Sequence, residues 1–125
     1  MLLSIHSFTP VLNGRPRPWH IGVSHWGGRR LAALMLGAVA HSGEFTVGDN
    51  APYPIDDDVD YTIPVHGEGR GLPSVMIEIR QDGIQTAAGA AAWAARLAAS
   101  FRLIEAGALR ILRSSFSVHS ASDPL

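Results

Sequence analysis

A chain of 125 residues, 46% hydrophobic and 17% charged, has the composition of one globular domain, with no room for a second full one. Ten basic against eleven acidic side chains leave a formal charge of -1. That balance sets up no single-sign field for phosphate backbones or anionic lipid, and it argues against nucleic-acid and membrane-surface binding. With no cysteine, disulfides, thiolate metal sites and thiol nucleophiles are excluded, so any metal must sit on His, Asp or Glu.

The apolar residues Leu2, Leu3 and Ile5 predict a strand at the very start of the chain, halted at His6. This run is too short and too uncharged at its front for a secretory signal or a membrane span, which makes the cytoplasm the default compartment. A buried strand with no lead-in predicts the carboxyl part of a longer fold; a short edge strand at a true terminus is the alternative. Pro10, Asn13-Gly14, Pro16 and Pro18 predict a rigid loop, and Trp19 to Val23 a second strand. After Gly27-Gly28, the stripe Leu31, Leu34, Met35 and Ala38 has helical spacing and runs out near His41-Ser42-Gly43.

Phe45 to Val47 predicts a short strand, Ala51 to Asp60 a loop, and Tyr61 to Val65 an extended segment. The acidic run Asp56, Asp57, Asp58, Asp60 lacks the Gly and Glu of an EF-hand loop and reads as a solvated loop. Ser74 to Arg80 alternates cleanly, Val75, Ile77 and Ile79 on one face and Ser74, Met76, Glu78 and Arg80 on the other. Gln85 to Glu105 predicts a long helix with Trp93, Leu97, Phe101 and Ile104 as its buried stripe. Strands alternating with helices at this spacing argue for a layered α/β domain with a mostly parallel sheet over residues 1–113, followed by a frayed Ser-rich tail over 114–125.

In an open α/β sheet ligands collect beyond the carboxyl ends of the strands. That rule places His6, Asn50, His66, Glu78 and Arg80 around one cleft. His6 is either a neutral imidazole free to ligate a metal or a histidine bonded to a loop carbonyl. Glu78 and Arg80 project side by side, as a general base beside a guanidinium that grips a substrate carboxylate, or as a surface ion pair without function. Arg15 and Arg17, held between prolines, either reach an anionic substrate or are solvated. Gly67-Glu68-Gly69-Arg70-Gly71 has no Lys-Ser/Thr after it and no helix, so it is a connection rather than a phosphate loop. His20, His25, His41 and His119 read as hydrated or loop-bonded.

Taken together, Ser4-Ile5-His6-Ser7-Phe8-Thr9-Pro10, Val47-Gly48-Asp49-Asn50 with Pro52-Tyr53, His66 ahead of Gly71-Leu72-Pro73, and Ile77-Glu78-Ile79-Arg80-Gln81-Asp82 resemble the later part of N-formylglutamate amidohydrolase-like proteins. The resemblance covers residues 1 to about 105. It implies a layered α/β/α fold related to the zinc exopeptidases, here without its amino-terminal part, and cleavage of the amide of a small N-acyl amino acid by zinc-activated water. On that resemblance His6 is a zinc ligand, Glu78 the general base, and Arg80, Asn50 and His66 bind substrate, with the remaining ligands outside this chain. The alternative it leaves open is a truncated, non-catalytic remnant that acts by association, including self-association through an exposed sheet edge. Two positions depart from the family's pattern: Ser24-His25-Trp26-Gly27-Gly28-Arg29 lacks an acidic residue usual there, and Gly83 replaces a larger apolar one.

Overall fold

The computed structural model describes the backbone of residues 1–118 and the side chains of residues 1–107. In chain order the elements are β1 (Leu2–Phe8), the short hairpin β2 (Val11–Leu12) and β3 (Arg15–Pro16), β4 (Ile21–Ser24), α1 (Arg30–Ala40), β5 (Val47–Asp49), β6 (Ser74–Arg80) and α2 (Ala87–Val118). The remaining residues of the expected frayed tail, 119–125, lie outside the described residues and include His119. No helix among the described residues is long and apolar enough to cross a membrane.

The main sheet has the order β1-β6-β4-β5. β1 runs parallel to β6 and β4 parallel to β5, whereas β4 and β6 are antiparallel, so the sheet is mostly parallel with a reversal at its centre. The hairpin between β1 and β4, turned at Asn13 and Gly14 with φ of 51° and 74°, lies in the connection over which the chain reverses. This reversal corrects the expectation of a single carboxyl edge. The carboxyl ends of β1 and β6 point one way and those of β4 and β5 the other.

One face of the sheet carries the main core. Ile21, Val23, Val75, Ile77 and Ile79 pack with Leu31, Ala32 and Met35 of α1 and Trp93, Leu97 and Ile104 of α2 in a single buried cluster. The alternation in β6 and the helical stripes explain this face, because each element has one apolar side to remove from water. Both helices lie on this one side. Among the described residues the expected helix–sheet–helix layering is therefore helix, sheet and loop, since residues 51–70 occupy the opposite face.

On that second face Ile55 and Ile63 pack on Met76 and Leu2, and the Ser24 hydroxyl donates to the Tyr53 carbonyl at 2.6 Å. The expected extended segment Tyr61 to Val65 is instead a wide helical turn over Thr62–Gly67, which buries Ile63 and Pro64. Burial of Ile63 against Met76 overrides the strand preference of its β-branched residues. The loop lies so close to the sheet that a Cβ on Gly22 or Gly48 would collide with the Ala51 carbonyl oxygen.

Gly22→Ala is expected to push this loop off the sheet and to destabilise the fold by about 1–3 kcal/mol, readable as a lowered urea midpoint at unchanged m-value. An unchanged midpoint would show that the contact is slack.

Candidate active site

The register pairs His6 with Glu78 across β1 and β6, and Glu78 with Gly22 across β6 and β4. His6 and Glu78 project to the same face, with His6 Nδ1 3.9 Å from Glu78 Oε1, beyond hydrogen-bond distance. The two differ sharply in exposure, at 51% for the His6 side chain and 5% for that of Glu78. Glu78 Oε2 is buried and has no hydrogen-bond partner among the described residues. Burial pushes the Glu78 carboxyl above its ordinary range; nearby Asp60 adds to this, while His6 and Arg17 oppose it. A carboxylate held in this way is a better proton acceptor than a solvated one.

A small cavity of about 140 Å³ opens beside His6, lined by His6, Ser4 and Met76 on the sheet side and by Asp60, Tyr61 and Ile63 from the loop; Glu78 does not line it. Its size suits a small acyl group rather than a drug-sized ligand, whose pockets start at roughly 300 Å³.

Arg80 does not pair with Glu78. Its Nε and Nη2 donate to the Asp82 carboxylate at 2.7 and 3.0 Å, and its Nη1 donates to the Arg17 carbonyl at 3.0 Å. The bidentate contact holds the Asp82 carboxyl below its ordinary value of 3.8. Arg17, which its flanking prolines alone could not separate from a solvated arginine, is buried on the loop side of the sheet. Its Nη2 donates to the Tyr53 hydroxyl at 2.7 Å, and its guanidinium lies over the rings of Phe8 and Tyr53. No sequence signal beyond Pro16 and Pro18 marked this residue, and none marked Asp60.

Asn50 stands apart from this pair. Asn50 follows β5, has a φ of 53°, and uses its Oδ1 to accept the His25 backbone N–H at 2.9 Å, at the end of β4 that points away from Phe8 and Arg80. The topology reversal therefore removes it from the cleft expected from strand ends. His66 packs edge-on to Tyr61, which lines the cavity, with ring centroids 5.2 Å apart. His25 is loop-bonded through Asn50 and sits near Asp49 and Arg29. The Asp56, Asp57 and Asp58 carboxylates come together and are exposed.

Both positions expected to depart from the family's pattern have contacts of their own. Lacking an acidic residue of its own there, the start of α1 receives Glu68 from the loop, whose Oε1 accepts the Gly28 N–H at 3.3 Å. At position 83 a Cβ would sit 2.7 Å from Trp93 Nε1, so glycine is what lets Trp93 pack at the start of α2.

Two outcomes follow from these charges. Glu78→Gln is expected to raise stability at neutral pH by roughly 1–2 kcal/mol, measured by urea titration, because it replaces a desolvated charge with a neutral isostere. Loss of stability would show that Glu78 is compensated by groups near it. Asp82, with its folded pKa lowered, adds stability that is present above its unfolded value and is lost as pH falls through the folded one. Asp82→Asn should thus cost stability at pH 6 and progressively less as the pH falls below the ordinary value of 3.8. Because Asp82 is 42% exposed, solvent screening limits the effect to less than about 1 kcal/mol.

Comparison with known proteins places this geometry in context. A family model described as N-formylglutamate amidohydrolase matches residues 1–85. The crystal structure of the gene product Atu2144 from Agrobacterium tumefaciens superposes with a TM-score of 0.71 at 40% sequence identity, covering 82% of this chain. The chain spans 43% of the length of that relative. No curated protein matches it.

Proposed function

Because this chain belongs to the N-formylglutamate amidohydrolase family, we propose that it carries the general-base side of a hydrolase site that cleaves the amide bond of a small N-acyl amino acid. The observation that carries this reading is the buried Glu78, its Oε2 without a partner and its pKa raised by burial, beside the open imidazole of His6. Glu78 takes a proton from the attacking water and returns it to the leaving amine. The low dielectric around it strengthens that exchange, and the small cavity beside its neighbour His6 accepts the acyl group.

His6 is the residue of this chain that would hold zinc: its side chain is half exposed and no described residue hydrogen-bonds its ring. Bound zinc lowers the pKa of a coordinated water to about 7 and polarises a carbonyl. Such a site needs three protein donors. Among the described residues no three His, Asp or Glu donor atoms gather at His6; the one such group is the exposed Asp56–Asp57–Asp58 cluster. Among the described residues the donor set is therefore incomplete, and the chemistry assigned to them stops at Glu78.

That incompleteness, together with β1 as an edge strand whose Ile5 is 52% exposed, favours a second reading in which the chain acts only through association along that edge. The two readings separate in one assay. With zinc and N-formyl-L-glutamate, the hydrolase reading expects formate release that falls by roughly 10²–10⁴ in Glu78→Gln, and zinc uptake that falls in His6→Ala but not in Glu78→Gln. Full activity in Glu78→Gln overturns the base assignment. No release by the wild-type chain, with a concentration-dependent oligomer in sedimentation, supports association instead.

A further inference from the structure

The cavity beside His6 has a negative wall with no Arg or Lys to match it. Asp60 is the only carboxylate among the side chains that line it. Asp60 is half-buried and forms no ion pair among the described residues. Its Oδ2 accepts the Asp56 N–H at 2.8 Å, which leaves most of the acceptor capacity of the carboxylate unused. It lies near enough to Glu78 to add to the rise in the pKa of that carboxyl. The rest of the lining is largely apolar, with Ile55, Ile63 and Met76 all buried. Ser4 adds a hydroxyl. It projects from β1 on the same face as His6, is 8% exposed, and has no hydrogen-bond partner among the described residues. Unlike the hydroxyl of Ser74, that of Ser4 is not sealed away from the space it lines. An unpaired carboxylate and an open hydroxyl around one small apolar cavity attract a cation that can donate hydrogen bonds to both.

We propose that this cavity binds the ammonium of an aminoacyl group between Asp60 and Ser4, so that the acyl half of the substrate is a small α-amino acid. The inference rests on the amidohydrolase reading for calling the ligand an acyl group, while the cation site itself needs only the cavity. A formyl group offers nothing to Asp60 or Ser4 and would leave the carboxylate partly desolvated without a partner. An acyl group that ends in a carboxylate meets Asp60, with Glu78 near, as like charges. An ammonium carries three N–H donors, enough for both side chains, and an α-amino group with a pKa of about 8 is mostly charged at pH 7. A volume of about 140 Å³ restricts the group to the size of glycyl or alanyl. The Asp56, Asp57 and Asp58 carboxylates are exposed and do not line the cavity, so they add only a screened attraction.

Amide chemical-shift titration of the full chain at pH 7, without added metal, tests it with glycinamide, the neutral acetamide and the anionic malonamate as probes. Glycinamide should shift the resonances of Ser4, His6 and Thr62 and saturate, acetamide should bind about tenfold more weakly, and malonamate should not bind. Asp60→Asn, which keeps an acceptor for the Asp56 N–H, should bring glycinamide down to the affinity of acetamide, and Ser4→Ala should weaken it by a smaller factor. Asp57→Asn, on the exposed part of the loop, should change nothing. Should Asp60→Asn disturb the loop, competition in wild type gives the answer: methylammonium should displace glycinamide and tetramethylammonium, which has no N–H, should not. Acetamide or malonamate bound as tightly as glycinamide, equal losses in Asp60→Asn and Asp57→Asn, displacement by tetramethylammonium, or no glycinamide binding at the cavity would each overturn the proposal. N-glycyl-L-glutamate bound no more tightly than glycinamide, with Asp60 still required, would uphold the cation site and count against the amidohydrolase reading. N-formyl-L-glutamate bound more tightly than N-glycyl-L-glutamate would uphold that reading and overturn the aminoacyl preference.

Discussion

The candidate site depends on β6 lying between β1 and β4 with both of its faces covered. The face of Val75, Ile77 and Ile79 is sealed by helices and would be buried in almost any α/β arrangement. The face of Ser74, Met76 and Glu78 is buried only because residues 51–70 lie across it. That approach in turn requires Gly22 and Gly48, adjacent in the β4–β5 register, to leave space for the Ala51 carbonyl. Without this close seat Glu78 would be a solvated carboxylate beside a histidine, of ordinary basicity and no chemical interest. The glycines of β4 and β5 act on the site at a distance of one strand by deciding how much water reaches it.

Charge on this face is arranged in a chain rather than in pairs. Asp82 holds Arg80, Arg80 holds the backbone of Arg17, and the guanidinium of Arg17 lies by the rings of Phe8 and Tyr53 with no ion pair to Glu78. A direct Arg17–Glu78 pair would satisfy both groups. Leaving them apart costs stability, since each keeps a buried polar atom without a partner. The apolar part of the face, Ile55, Ile63 and Met76, offsets part of that cost through burial.

The chain is 40% identical to a relative of which it spans 43%, and among the described residues His6 beside the buried Glu78 supplies one of the three donors that a metal hydrolase needs. The fold nevertheless keeps the elements that support Glu78: the parallel β1–β6 pair, the central antiparallel step to β4, and the long helix over the opposite face.

Much of this was legible in the residues alone. The clean alternation of β6 and the stripes of Leu31 and Met35 and of Trp93, Leu97 and Ile104 follow from periodicity, which is a local property, whereas His6 and Glu78 are expected in one site from their places at strand ends and from the family resemblance. Strand direction is not local. The residues of β4 read the same whether the strand runs with or against β6, and only the pairing of Ile21 with Ile79 reveals the reversal that carries Asn50 away from the pair. Burial of polar groups is equally invisible in a sequence. Arg17 between prolines looks like any solvated arginine until Phe8 and Tyr53, 9 and 36 residues distant in the chain, close around it. The sequence by itself determined which residues could do chemistry and which faces had to be apolar, because both are set by side-chain type and period. Tertiary structure alone decided which of those residues meet and which are dry, because contact and desolvation depend on how distant segments pack.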